Sequence, residues 1–357
     1  MTLDFSKYGG PSDEWLAIEK TLPALSFDIS RDPVELKNAT NKEREERTAA
    51  GMKFLAPHVY TADYSIPTRD GSTIEARTYR SVKKEKSEKL PVYIYFHGGG
   101  FIFGSIASED FVCAQTAINV GVLVINVNYR HTPDHVYPTA WDDSQDAFAW
   151  VHKNIEELNG DPSKVLVGGV SAGGQLAASL TLEKHLGKSE VLRGLPELAG
   201  QILIIPCVAS PYDYEEGPGK KITPGKSSYI ENENAPILPK RVVEFFTGLL
   251  ETPKADLKNT KLNIVNATEE EVRGLPPTVF GIAGLDPLRD EALLYAKLLS
   301  EQNVPTEVRL FKGVPHGHRR FGKALKASDH WDECVDEGIL WALSKPQATG
   351  TFNVKIP

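Results

Sequence analysis

Short runs of apolar residues recur along the chain from about residue 90 onwards and predict buried strands. Each run is rich in Val, Ile and Leu and shows no polar alternation, which is typical of strands covered on both faces in a parallel sheet. The predicted strands are Pro91–Phe96, Val122–Val127, Lys164–Gly168, Gln201–Ile205, Thr278–Ala283 and Thr306–Phe311.

Helical periodicity fills several of the intervals between these runs. The predicted helices are Ala140–Leu158, Ala172–His185, Leu288–Gln302 and Asp329–Ser344. Alternating strands and helices imply an α/β fold with a doubly wound, mostly parallel sheet and right-handed crossovers. Upstream, Val59–Ile66 and Thr73–Tyr79 flank the turn signal Arg69-Asp70-Gly71 and predict a hairpin.

Two stretches interrupt this alternation of strands and helices and predict a helical cap. Residues 1–50 carry charged helical pieces without a strand, and residues 207–275 hold Pro/Gly-rich loops around one helix, Pro239–Leu250. Ligands bind at the carboxyl edge of open α/β sheets, where such segments can meet. We therefore predict an N-terminal cap segment 1–50, a core in two parts, 51–206 and 276–357, and a cap insertion 207–275.

The composition limits which binding partners and which cellular compartment we expect for this protein. A net charge of −8 over 357 residues argues against nucleic acid, which requires clustered basic residues. Three cysteines without a CxxC pair, and an N-terminus without an apolar signal region, favour the cytoplasm. No apolar run approaches the roughly 20 residues that span a bilayer. The spacing of His, Cys and acidic residues also predicts no metal site.

The run Gly169–Gly174, which reads GVSAGG, follows a predicted strand and opens a predicted helix. This strand–turn–helix context is the one in which a GxSxG motif presents a nucleophilic serine above a sheet. On its own, the pattern also fits a glycine-rich turn whose serine merely caps a helix. The context favours Ser171 as the nucleophile.

A His-Gly-Gly-Gly-Phe run after the strand Pro91–Phe96 predicts an oxyanion-binding loop. Consecutive glycines leave backbone N–H groups unshielded, and these can bind the charged oxygen of a tetrahedral intermediate. We predict the amides of Gly98, Gly99 and Ala172 as the donors. His97 precedes the donors, and we interpret it as a residue that holds the loop.

The general base should lie on the loop after the last strand, because sites built on a GxSxG turn carry their residues in the chain order serine, acid, histidine. His316 lies there between Pro315 and Gly317, whereas His318 is predicted as a pocket-wall residue. The acid should follow the preceding strand. Asp286 lies in that loop and is preferred to Asp290, which falls on the next helix and suits its first turn.

These residues together resemble the hormone-sensitive-lipase-like branch of the α/β hydrolases over roughly residues 90–320. The resemblance rests on His97–Phe101, Tyr129–His135 with Tyr137–Ala140, Gly169–Gly174, Asp286–Asp290 and His316-Gly317. It implies an α/β-hydrolase fold with an eight-stranded sheet that has one antiparallel strand. It also implies a cap built from the N-terminus and an insertion, small to medium ester substrates, and no cofactor.

Four positions depart from the usual pattern of that branch. An acidic residue often stands where this chain has Val170, and an aromatic residue where it has His318. Asn128 and Asp134 replace a usual Asp and Glu. The first two changes adjoin the predicted site, so they bear on substrate preference.

The sequence therefore predicts a serine carboxylesterase that acts on small-molecule esters through an acyl-enzyme. A lyase, dehydratase or acyltransferase acting on a natural product with the same three residues is the alternative. A non-catalytic receptor is disfavoured, because Ser171, Asp286 and His316 are all present. The last predicted strand is a sheet edge that could pair in a homodimer.

Overall fold

The computed structural model describes residues 2–22 and 28–357 of the chain. Met1 and residues 23–27 of the predicted cap segment 1–50 lie outside the described residues. Across the described ranges, no helix combines the length and the apolar character that crossing a membrane requires.

A single sheet of eight strands organises the molecule, with the strand order β1-β2-β4-β3-β5-β6-β7-β8. The strands β1 to β8 are Val59–Pro67, Thr73–Ser81, Leu90–Phe96, Leu123–Asn128, Gly160–Val170, Gly200–Ile204, Thr278–Leu285 and Thr306–Pro315. Strand β2 runs antiparallel to both β1 and β4, whereas every neighbouring pair from β4 to β8 is parallel. The predicted α/β-hydrolase fold is confirmed, including the one antiparallel strand.

Ten α-helices accompany the sheet within the described residues. Helices α1 to α10 are Asp13–Glu19, Pro33–Leu55, Ile106–Val120, Thr139–Lys153, Ala172–His185, Ser228–Glu231, Lys240–Leu250, Glu269–Val272, Arg289–Glu301 and Ala327–Leu343. The pattern did not single out α3, although Ser105 caps it through a reciprocal capping box. Helix α4 ends five residues earlier than predicted, because the Asn154 side chain bonds to the Trp150 carbonyl and the chain turns there.

The helices cover both faces of the sheet. Helices α3 and α10 contribute to the apolar cluster on one face, while α4, α5 and α9 contribute to the cluster on the other. Strand β3 shows why its sequence lacks alternation: Ile94 and Phe96 join one apolar cluster, while Tyr93 and Tyr95 join the cluster on the opposite face. Both faces of a central strand are therefore buried, as the continuous apolar runs indicated.

The edge strand β8 is partly covered by the C-terminal tail of the same chain. The Leu310 amide donates to the Lys355 carbonyl at 2.8 Å, and the Lys355 amide donates to the Val308 carbonyl at 2.9 Å. Lys355 also pairs with Glu307 on β8. The edge that we predicted as a pairing surface thus has its own strand-like partner at this point.

A buried ion pair anchors the loop that leaves β4 towards the carboxyl edge. Asp143 on α4 is fully buried and accepts hydrogen bonds from the backbone amide, Nε and Nη2 of Arg130. Arg130 reaches Asp70 as well, so it joins α4 to the β1–β2 turn. Without Asp143, the partly buried Arg130 guanidinium would keep the half-exposed Asp70 as its partner, and a poorly compensated charge at a shielded site lowers stability.

We predict that Asp143→Ala lowers the free energy of unfolding by about 3 kcal/mol, because the Arg130 guanidinium loses its buried acceptor. Urea denaturation followed by tryptophan fluorescence measures the change. Glu190→Ala, which breaks an exposed pair with Arg193, serves as the matched control and should cost less than about 1 kcal/mol. Equal losses in the two variants would contradict an anchoring role for Asp143.

Candidate active site

The turn between β5 and α5 holds Ser171 in a backbone conformation that few non-glycine residues adopt. Its φ of 55° and ψ of −114° lie outside the common regions. The Ser171 amide donates to the Ile204 carbonyl at 2.9 Å, which ties the turn to β6. A Cβ at Gly173 would lie 1.9 Å from the Phe96 carbonyl oxygen, so only glycine permits this close approach.

The structure brings the three residues predicted as nucleophile, base and acid into one hydrogen-bonded chain. His316 Nε2 lies 3.1 Å from Ser171 Oγ, and His316 Nδ1 lies 2.6 Å from Asp286 Oδ2. A carboxylate on Nδ1 keeps the proton on that nitrogen, so Nε2 is free to accept the serine proton. Asp286 is 1% exposed and His316 is 8% exposed, so the contact between them is shielded from solvent.

Further hydrogen bonds hold the acid in position. The second oxygen of Asp286, Oδ1, accepts from the Leu288 amide at 3.0 Å. The side chain of Asn232, which belongs to the predicted insertion, donates to the Asp286 backbone carbonyl at 3.3 Å. The loop after β7 is therefore fixed from two sides.

The residues weighed as alternatives lie elsewhere. Asp290 pairs with the buried Arg289 and accepts from the Ser228 amide, so it joins α9 to the insertion instead of reaching His316. His318 is packed against Phe311 and Trp331 and contacts the Pro315 and Ala327 carbonyls. Burial lowers the pKa of His318 to about 4. Its prediction as a pocket-wall residue is therefore replaced by a packing role beneath the site.

The glycine loop after β3 lies against the turn that carries the serine. A Cβ at Gly98 would lie 2.9 Å from the Val170 carbonyl oxygen, one residue before Ser171. Within residues 2–22 and 28–357, the amides of Gly98 and Gly99 donate to no protein acceptor. The Ala172 amide belongs to the first turn of α5, where N–H groups have no partner within the helix. These three amides are therefore candidate donors to a group bound at Ser171.

Buried aromatic and imidazole rings support this loop from below. His97 stacks on Tyr129, whose hydroxyl donates to the His97 carbonyl at 2.7 Å. His97 Nε2 also lies 3.3 Å from His131 Nε2. Burial lowers the pKa of His97 to about 4, so the ring is neutral near pH 7. This arrangement agrees with the interpretation of His97 as a residue that holds the loop.

A buried carboxyl group that the sequence did not indicate, that of Glu291, lies beside the site. Its side chain accepts from the Val208 and Ala209 amides at 2.7 and 3.2 Å, and therefore fixes the start of the insertion. Burial raises the pKa of Glu291 to about 8. The only available signal was its place after Asp290 in the first turn of a helix, where an acidic residue is ordinary.

An apolar pocket of about 50 Å³ opens directly on Ser171. Its walls come from both the core and the insertion, and they include Phe101, Trp141, Leu238, Phe246 and Leu250. Phe246 lies on helix α7 and would meet any side chain added at Gly100, so the helix rests on the glycine loop. We call this cavity the apolar pocket.

A family model described as the alpha/beta hydrolase fold matches residues 93–319. Carboxylesterase NlhH from Mycobacterium tuberculosis is 34% identical over 247 residues, which make up 68% of this chain and 70% of that protein. An esterase structure from Pyrobaculum calidifontis matches with a TM-score of 0.74 and 28% identity, over 94% of this chain and 99% of that one. The structure of vibralactone cyclase matches with a TM-score of 0.82 and 26% identity, over 97% and 99% of the two chains.

These matches agree with the sheet order and with the geometry around Ser171. The family model alone spans more than half of the chain, and it includes the glycine loop, the serine turn and the loop of His316. The chain therefore belongs to the α/β-hydrolase fold family, and within it to the hormone-sensitive-lipase-like carboxylesterase branch.

Proposed function

We propose that this protein is a serine carboxylesterase in which Ser171 is the nucleophile, His316 the general base and Asp286 the residue that orients the base. The observation that carries the proposal is the unbroken hydrogen-bonded chain from Asp286 Oδ2 through His316 to Ser171 Oγ. Its three members come from three different loops at one edge of the sheet. A chain of this kind raises the nucleophilicity of a serine hydroxyl.

The proposed reaction has two steps. His316 Nε2 takes the hydroxyl proton as Ser171 Oγ attacks the ester carbonyl, and the amides of Gly98, Gly99 and Ala172 bind the oxyanion. The protonated imidazole then donates that proton to the leaving alcohol, which leaves an acyl group on Ser171. Water, deprotonated by the same imidazole, releases the carboxylic acid and restores the serine.

We assign the cap to segment 1–50, which precedes the core in the sequence, and to segment 207–275, which separates the two parts of the core. Helix α7 of the insertion lines the apolar pocket with Val243, Phe246 and Leu250. Helix α2 of the N-terminal segment contacts the glycine loop, since Arg44 donates to the Gly98 carbonyl at 3.3 Å. The small apolar pocket supports small to medium esters as substrates, because one part of the ester must fit beside these side chains.

A second reaction on the same residues is transfer of the acyl group to an acceptor other than water. The specific observation in its favour is the match to vibralactone cyclase, whose name indicates ring closure. The apolar walls around Ser171 would also restrict water. Mass spectrometry of the products separates the two reactions, because hydrolysis releases a free acid and transfer does not. A lyase or dehydratase and a receptor have no comparable observation in their favour.

Cellular location and assembly stay predictions. The cytoplasm is the location that the cysteine content favours. A homodimer that pairs through β8 would have to use the part of the edge that Lys355 does not cover.

We predict that Ser171→Ala lowers kcat/KM for p-nitrophenyl esters of short acids by roughly 10⁴-fold or more, because the acyl-enzyme can no longer form. A spectrophotometric assay across a series of acyl lengths measures this loss and also sizes the pocket. Ser163→Ala, at an exposed position of strand β5, is the matched control and should keep wild-type rates. Full activity of Ser171→Ala would rule out the proposed nucleophile.

We predict that Asp286→Asn lowers kcat by roughly 10⁴-fold, because an amide on Nδ1 favours the wrong imidazole tautomer. Asp290→Asn should reduce stability more than kcat, since Asp290 compensates the buried Arg289 guanidinium and has no contact with His316. Steady-state kinetics and thermal unfolding of both variants check this. The reverse pattern would identify Asp290 as the orienting acid.

A further inference from the structure

A second and larger cavity begins beside the same site and extends away from the apolar pocket. It has a volume of about 340 Å³ and reaches the site at Gly98, Val170 and Gly317. Val170 precedes the proposed nucleophile and Gly317 follows the proposed base. From there the cavity runs beneath α2 and between α3 and α10.

Four arginines line this space, which we call the arginine-lined cavity. They are Arg44 and Arg47 on α2, and Arg319 and Arg320 just after His316. Arg319 is compensated by Asp332 and also contacts Gln115. Arg47 faces Glu43 at 3.7 Å on the exposed side of its helix. Among the described residues, the acceptor that Arg44 reaches is a neutral one, the carbonyl of Gly98.

Arg320 is the least compensated of the four. No described residue of the chain, in 2–22 or 28–357, gives its guanidinium a hydrogen bond or an ion pair. A methyl group built on Gly317 would lie 3.7 Å from Arg320 Nη2, so the guanidinium is beside the residue that follows His316. Arg320 is exposed to solvent as a residue, so a dissolved ligand can reach its guanidinium. An arginine side chain keeps its positive charge at neutral pH.

The acidic residues that line the cavity are already engaged elsewhere. Glu109 accepts from the Tyr95 and Ser108 hydroxyls at 3.0 and 2.9 Å. Asp332 is paired with Arg319. Asp336 accepts from the Asn119 side chain at 2.8 Å, and burial raises its pKa to about 6. None of these carboxylates is bonded to Arg44 or Arg320.

We infer that the arginine-lined cavity binds a carboxylate of the substrate, so that the protein prefers esters carrying a free carboxylate to neutral esters of the same size. This inference rests on the proposed function, because it names the substrate class of the same site. A guanidinium matches a carboxylate with two parallel hydrogen bonds, and a partly enclosed site strengthens them. Arg320 is the primary binding residue, and Arg44 adds charge beside the glycine loop.

The inference is tested with two pairs of esters that differ only in one charged group. In the first pair, monoethyl glutarate carries a carboxylate on the acid part of the ester, and ethyl pentanoate lacks it. In the second pair, the acetate of 4-hydroxybutanoate carries it on the alcohol part, and butyl acetate lacks it. Titration of the released acid measures kcat/KM for all four compounds with the full chain.

For each pair, the preference is kcat/KM for the anionic ester divided by kcat/KM for the neutral ester. In at least one pair, Arg320→Gln should lower this ratio by about 10- to 100-fold, mainly because KM for the anionic ester rises. Arg320→Lys should recover part of that ratio, because it keeps the charge but not the paired hydrogen bonds. Arg193→Gln removes an equal charge from an exposed ion pair outside the cavity and should leave the ratio unchanged. Added salt should reduce the preference of the wild type.

A second measurement does not depend on ester turnover. Glutarate should protect Ser171 of the wild type from labelling by a fluorophosphonate, and should protect Arg320→Gln at least tenfold less well. If both ester ratios and the protection are the same in wild type and Arg320→Gln, the carboxylate site is refuted while hydrolysis of neutral esters still supports the carboxylesterase. If no ester is hydrolysed but glutarate protects only the wild type, the site stands and the proposed reaction fails.

Discussion

The close approach of two backbones beneath Ser171 is the constraint on which the site depends. The start of α5 lies so near the end of β3 that the Phe96 carbonyl occupies the space where a side chain at Gly173 would be. This contact lets the chain turn sharply enough to hold the serine at a positive φ. The same contact brings the glycine loop after β3 next to the serine, so one packing contact positions both the proposed nucleophile and the candidate oxyanion donors.

Buried polar networks then stabilise what the turn creates. The ring of Tyr129 supports His97, and the pair of Arg130 and Asp143 anchors the loop that contains Tyr129. On the other side, Glu291 and Asp290 hold the insertion against α9. Each network satisfies polar groups that would be costly to bury alone. They therefore determine where the loops lie, and not only how stable the core is.

The two cavities next to Ser171 differ in chemistry because different segments close them. Helix α7 of the insertion contributes aromatic and aliphatic side chains to the apolar pocket. Helix α2 of the N-terminal segment contributes arginines to the other cavity, where Val170 adds no opposing charge. A substrate that spans the serine would meet an apolar wall in one direction and a positive one in the other.

The sequence by itself determined the class of fold and the residues of the candidate site. Continuous apolar runs mark strands buried on both faces, and glycines flanking one serine mark a turn that only glycine can complete. These signals are local, because they depend on the few residues around each position. For the same reason, three predictions from the sequence were wrong or incomplete. His318 was predicted on a pocket wall, α4 was predicted to be longer than it is, and α3 was not predicted.

Only the tertiary structure decided which distant charges meet. Arg44 and Arg320 are separated by most of the chain, and nothing in the charged pattern of α2 indicates that they share a cavity. The burial of Glu291 and the covering of β8 by Lys355 likewise depend on residues that are distant in the sequence. Compensation of charge and coverage of an edge depend on neighbours in space, and those neighbours are determined by packing across the whole fold.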